Sequence, residues 1–170
     1  MICFAYGSNM DTARLRSRVG KCTPLGIATL PLHGLRFHKK SVDGTAKCNA
    51  LFTGDESDSV IGVLFDVPEE RKPDLDNAEG LGNGYHEQVV TVTLADGSAK
   101  KAFAYIADET HIDDSWTPTV EYRGHVERGA KEHGLPQGYI EKAEHVAMHQ
   151  VALGGYRLAD ELNGIFDPRK

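Results

Sequence analysis

Residues 88–106 spell out an antiparallel hairpin. Residues 88–94 read Q-V-V-T-V-T-L, Ala95-Asp96-Gly97-Ser98 supplies the turn, and residues 101–106 return. A period of two sends alternate side chains to opposite faces of a sheet, so this stretch needs neighbouring strands and one buried face. Other segments obey the same rule. Residues 60–67, VIGVLFDV, are β-branched and nearly continuous. Residues 48–52 precede them across the acidic turn GDESDS, and residues 2–6 form a short apolar run. Residues 22–37 are strand-like but carry Pro24, Pro31 and Gly34, which predicts edge strands or bends.

Helical patterns fall between and after these strands. Asp11 caps a short helix over 11–20, with Leu15 and Val19 on one face and Gly20 as its stop. Arg14, Arg16 and Arg18 then read as its solvated side. PEERKPDLDNAEG, residues 68–80, changes character and predicts a helix ending at Gly80. Pro118 suits the first turn of a helix running to Gly134, and Pro136 lies near the start of another, with Ile140, Ala143, Val146 and Ala147 sharing a face. From Gly154 packing signals are few and a loosely held tail is expected. Helices interspersed with strands that are joined largely by hairpins predict an α+β fold. It would be one compact domain over residues 1–170, a curved, barrel-like mixed sheet with flanking helices.

Bulk properties narrow the function. A net charge of -6 argues against nucleic-acid binding, which needs a basic face. Cys3, Cys22 and Cys48 are too few and too scattered for a disulfide framework, and the start lacks the pattern of a signal peptide. No window is long and apolar enough to span a bilayer, so a cytoplasmic protein without membrane contact is expected. A homodimer is compatible with the sequence. His145 and His149 share a helical face, but no third ligand accompanies them, and they read as surface histidines with no metal. GLGNG, residues 80–84, follows a helix and precedes a strand, the reverse of a dinucleotide loop. Ser8 lacks a nearby histidine, and Cys3 reads as core.

Two features remain. The first apolar run breaks at once into Tyr6-Gly7-Ser8-Asn9-Met10, where Gly7 permits close approach to the backbone and Asp11 with Thr12 opens a helix. Such a turn gathers backbone N–H groups that suit an anion or an oxyanion, although an ordinary strand-to-helix turn is the simpler reading of five residues. The second is Glu79 in LDNAEG, alone merely one of 25 acidic residues.

YGSNM, LDNAEG and YRGHVERGAKEHGLPQGYIEKA, in this order and at these separations, resemble the γ-glutamylcyclotransferase (AIG2-like) family. The resemblance runs from Cys3 to about Ala143. It implies a barrel-like α+β fold with a cavity, and an enzyme that frees an amine or amino acid while the glutamyl part of a γ-glutamyl compound closes to 5-oxoproline. It implies that Tyr6, Gly7, Ser8, Asn9 and Met10 surround the glutamyl part. Glu79 matches the family's acid/base, and Tyr85, Tyr105 and Tyr122 match pocket-wall positions, Tyr122 best. No cofactor is implied. Some relatives carry an arginine shortly after the tyrosine that follows Glu-Gly, whereas this chain reads Tyr85-His86-Glu87, so leaving-group recognition does not carry over. A γ-glutamyl amide hydrolase and a non-catalytic small-molecule-binding protein are the alternatives on the same fold.

Overall fold

The computed structural model describes residues 1–166. Five strands close a barrel in the order β1-β5-β2-β6-β7. They are β1 (Ile2–Ala5), β2 (Thr23–Pro31), β5 (Ser59–Asp66), β6 (Tyr85–Leu94) and β7 (Ala99–Ala107). Closure comes from β1, which pairs antiparallel with β5 (Ala5 opposite Val63) and parallel with β7 (Cys3 opposite Phe103). The hairpin read from residues 88–106 is present and longer than its pattern, pairing from Tyr85↔Ala107 to Thr93↔Ala99. Phe4, Val63, Phe65 and Val92 are buried in the core.

A second, two-stranded sheet, β3 (His33–Lys40) with β4 (Ala46–Phe52), lies against the barrel. Buried Asn49 joins the two, because its Oδ1 accepts the Ala107 amide at 3.0 Å. The strands on either side of the acidic turn GDESDS are therefore not partners: the turn carries the chain from β4 in the small sheet to β5 in the barrel. The proline-bearing β2 is likewise not an edge strand, since it lies between β5 and β6. Its prolines fit because Pro24 sits at a register shift where only β5 is paired, and Pro31 is the last residue of the strand.

Helix α1 (Thr12–Val19) has the predicted cap and stop. Asp11 Oδ1 accepts the Arg14 amide at 3.2 Å, and Gly20 has φ 72°. Helix α2 (Lys72–Glu79) ends where Gly80 turns left-handed at φ 69°. Helix α3 (Val120–Glu132) starts two residues later than Pro118 suggests, because Thr119 is its cap and accepts the Tyr122 amide at 3.1 Å. Helix α4 (Gln137–Phe166) carries the backbone on through residue 154. The packing expected to be loose from there lies outside the described residues.

Candidate functional site

The turn after β1, α1, the end of α2, β4, the start of β6 and α3 converge on one cleft. Residues Ser8–Met10 form a single 3-10 turn in which Met10 donates to Gly7 O (3.0 Å) and Asp11 to Ser8 O (3.3 Å). Opening amides of such a turn have no partner within it. Among the described residues none of the Gly7, Ser8 and Asn9 amides donates to another protein group. Three backbone donors are thus left at the head of the first strand.

Gly7 is not there for a left-handed turn, since its φ is -117°. It is there for space: a Cβ would lie 3.1 Å from Cys48 Cβ and 3.3 Å from the Tyr122 hydroxyl. Behind the turn, Gly129 of α3 is pressed against backbone, where a Cβ would meet Asp11 N and Met10 C at 2.3 Å. Bare chain on both sides therefore fixes the turn.

Glu79, the last residue of α2, faces this turn. Its Oε1 accepts Asn9 Nδ2 at 3.0 Å and pairs with Arg18 Nη1, which also donates to Asn9 Oδ1 at 2.7 Å. The side chains of Arg18 and Glu79 are only 18% and 15% exposed. Arg14 Nε donates to Ser8 Oγ at 3.2 Å. Of the three arginines read as a solvated face, only Arg16 is exposed, while Arg14 and Arg18 turn inward to the cleft. Their spacing of four, beside the YGSN turn, is the sequence signal that was available.

The cleft has two connected parts. The inner one, about 30 Å³, is lined by residues from Cys3 to Asn9 with Cys48, Glu79, Tyr85, Tyr105 and Tyr122. The outer one, about 70 Å³, shares Ser8, Glu79, Tyr85 and Tyr122 and adds Arg14, Arg18, Lys39 and Lys47. Of the expected site residues, Tyr6, Gly7, Ser8, Asn9, Glu79, Tyr85, Tyr105 and Tyr122 meet here. Met10 does not. It is buried and borders a separate, mainly apolar cavity between β3, α3 and α4.

Burial raises the phenols of Tyr6, Tyr85 and Tyr122 well above their ordinary value, so they stay neutral. Tyr85 donates to Cys48 O, and the Tyr122 hydroxyl accepts the Cys48 amide at 3.0 Å, which fixes β4 between them. Burial likewise pushes the Cys48 thiol up to about 12 and that of Cys3 further still, which argues against a thiolate nucleophile. Ser8 Oγ is bonded to Arg14, not to a histidine. Among the described residues no group of three His, Cys, Asp or Glu side chains is placed to hold a metal ion, and His145 and His149 are exposed. That leaves a carboxylate, a set of backbone donors and a cluster of cations as the chemical equipment.

Asp11 ties this machinery to α3. Its Oδ2 accepts His125 Nδ1 at 2.7 Å and Arg128 Nε at 3.3 Å while Oδ1 caps α1. Burial opposes its ionisation, but the bonds from His125, the Arg14 amide and Arg128 outweigh it and hold the carboxyl below its ordinary 3.8. A depressed carboxylate pKa gives stability that is complete above the unfolded value and lost as the pH falls through the folded one. We therefore predict that Asp11→Ala costs about 1–3 kcal/mol at neutral pH. The gap in melting temperature from the parent should close as the pH drops below 3.8. A gap that stays constant through that range would remove the carboxylate's charge from the explanation.

The chain is similar to known proteins over most of its length. A model of the AIG2-like family matches residues 59–143. The γ-glutamylcyclotransferase of Mus musculus is 26% identical over 166 residues, covering 95% of this chain and 85% of that protein. That of Bos taurus is 29% identical over 143 residues, covering 82% and 74%. A solved structure of a γ-glutamyl cyclotransferase superposes with a TM-score of 0.77 at 27% identity, covering 85% of this chain and 86% of the other.

Proposed function

The chain belongs to the AIG2-like family, and from that premise we propose that this γ-glutamylcyclotransferase-like enzyme closes the glutamyl part of a γ-glutamyl compound to 5-oxoproline and releases the amine. The observation that carries the reading is the placing of Glu79 opposite three unused backbone amides of the Gly7–Asn9 turn.

The nucleophile is the substrate's own α-amino group, tethered to the carbonyl it attacks, so the protein supplies position rather than a reactive side chain. At neutral pH this amine is an ammonium. Glu79 takes a proton from it, and the nitrogen lone pair then forms the new bond to the γ-carbonyl carbon. The carbonyl oxygen becomes an oxyanion facing the turn amides, whose donors are worth roughly 3–4 kcal/mol each when well aimed. The C–N bond to the leaving group breaks as Glu79 returns the proton to the departing nitrogen. The second proton, shed by the ring nitrogen as it becomes the lactam N–H, is taken up by the released amine, which departs as an ammonium. Arg18 and Asn9 hold one carboxylate oxygen in place throughout.

Products distinguish this from hydrolysis. With a free-amine γ-glutamyl amino acid in heavy-oxygen water, the expected product is 5-oxoproline with no solvent oxygen, detected by mass spectrometry. The N-acetyl form should not react, because acetylation commits the nitrogen lone pair to an amide. Solvent-labelled glutamate as the main initial product would make the protein a hydrolase. Absence of any product across a broad γ-glutamyl panel would favour a binding protein.

A further inference from the structure

Tyr6 borders two different spaces. It lines the inner cleft, where its hydroxyl donates to Tyr105 O, and with Met10 it also lines the separate cavity between β3, α3 and α4. That second cavity measures about 350 Å³. At the roughly 30 Å³ that a water molecule takes up in the liquid, it has room for about a dozen non-hydrogen atoms. Close-packed interiors hold few voids larger than one water, and this one falls in the size range of small-molecule sites. Its walls are apolar: Leu35, Phe37, Ile140 and Ala147 line it and are themselves buried.

One cation interrupts those walls. Among the described residues Arg123 is the only lysine or arginine that lines the cavity. Its Nη1 donates to Met148 Sδ at 3.0 Å, and a thioether sulfur is a weak acceptor. Its Nε is shut off from solvent and, among the described residues, donates to nothing. A guanidinium keeps its charge at any working pH, and a buried donor left unpaired is costly. Two carboxylates also border the cavity, but neither pairs with Arg123. Glu127 is engaged by Lys131, and Glu144 is exposed on α4, where water and salt screen it.

We propose that this cavity binds a small amphiphilic carboxylate, an aliphatic acid of medium chain length. Its chain would lie between β3, α3 and α4, and its carboxylate would accept from Arg123. The apolar walls draw the chain out of water, and the planar guanidinium fork sets which end of the ligand faces it. A neutral apolar ligand leaves Arg123 Nε unpaired, and a cationic one meets a like charge. The inference does not depend on the cyclotransferase reading, because none of its polar contacts belongs to the cleft of Glu79.

Calorimetric titration of the full chain with octanoate, octan-1-ol, octylamine and acetate tests it. Octanoate should bind once per chain and at least about tenfold more tightly than the alcohol or the amine, and acetate should not bind. Arg123→Gln should weaken octanoate by about tenfold or more while changing octan-1-ol by less than about threefold, and Arg123→Lys should keep part of the preference. Ala143→Leu, which puts carbon into the cavity, should weaken octanoate and octan-1-ol together without lowering the melting temperature. If that variant does not fold, the two Arg123 variants decide alone. Failure of octanoate to saturate, or equal binding of octanoate and octan-1-ol, overturns the proposal. So does octanoate binding that survives Arg123→Gln and Ala143→Leu unchanged, which would place it in the cation-lined cleft. Sedimentation as a dimer that Ala143→Leu breaks, with no octanoate uptake, would give the cavity to a second copy of the chain instead.

Discussion

Glu79→Gln should lower the rate of 5-oxoproline release by roughly 10²–10⁴ while leaving the fold intact. The amide keeps an oxygen where Oε1 accepts Asn9 Nδ2 and Arg18 Nη1, so the local hydrogen bonds survive. What disappears is a group that can take a proton from an ammonium and return it to a leaving nitrogen. Some stability is lost too, because Arg18 is left partly buried without its carboxylate, although Asn9 Oδ1 still accepts from it. Circular dichroism and a melting curve separate the two effects. A folded variant with near-normal turnover would take Glu79 out of the mechanism and leave the site without a proton carrier.

What could be read from the sequence was whatever depends on neighbours along the chain. The hairpin of β6 and β7 follows from alternation and its Asp-Gly turn, and α1 from an aspartate cap and a glycine stop. The helix that delivers Glu79 ends where Gly80 predicts. Pairing between distant segments was not legible. Nothing in residues 48–52 says that Cys48 pairs with Phe37 and not across GDESDS, because a strand pattern names a face and not a partner.

The same limit applies inside the site. Arginines on a short helix are normally solvated, and Arg18 becomes a site residue only because Glu79, 61 positions later, returns to it. Lys39 carries no local signal at all, since the loop at Gly84 and the Tyr85 ring that bury it belong to other segments. Met10 misleads in the opposite direction. It stands beside Ser8 and Asn9 in sequence, but one 3-10 turn is enough to point adjacent side chains to different sides of the backbone.

Gly7→Val should abolish most activity for a reason unlike that of Glu79→Gln: the carboxylate stays and the backbone moves. Contacts of 3.1 Å to Cys48 Cβ and 3.3 Å to the Tyr122 hydroxyl already leave a single added carbon crowded, and valine adds two more. Neither neighbour can yield easily. Cys48 is a buried member of β4, and the Tyr122 hydroxyl is held by the Cys48 amide. Gly129 blocks retreat on the other side, where α3 touches the turn backbone to backbone. The turn must therefore twist, and its amides with it. Loss of one well-aimed oxyanion donor costs about 10²–10³ in kcat, so a displaced turn should cost at least that much. Gly7→Ala, which asks its neighbours to give by only a few tenths of an ångström, should fall between parent and valine. Ser8→Ala keeps its amide and loses only the contact to Arg14 Nε, so its effect should stay within about tenfold. The series is read as kcat alongside the melting temperature, because a uniform fall in both would mean only that the fold had loosened. A folded Gly7→Val that turns over like the parent would move the oxyanion site away from this turn.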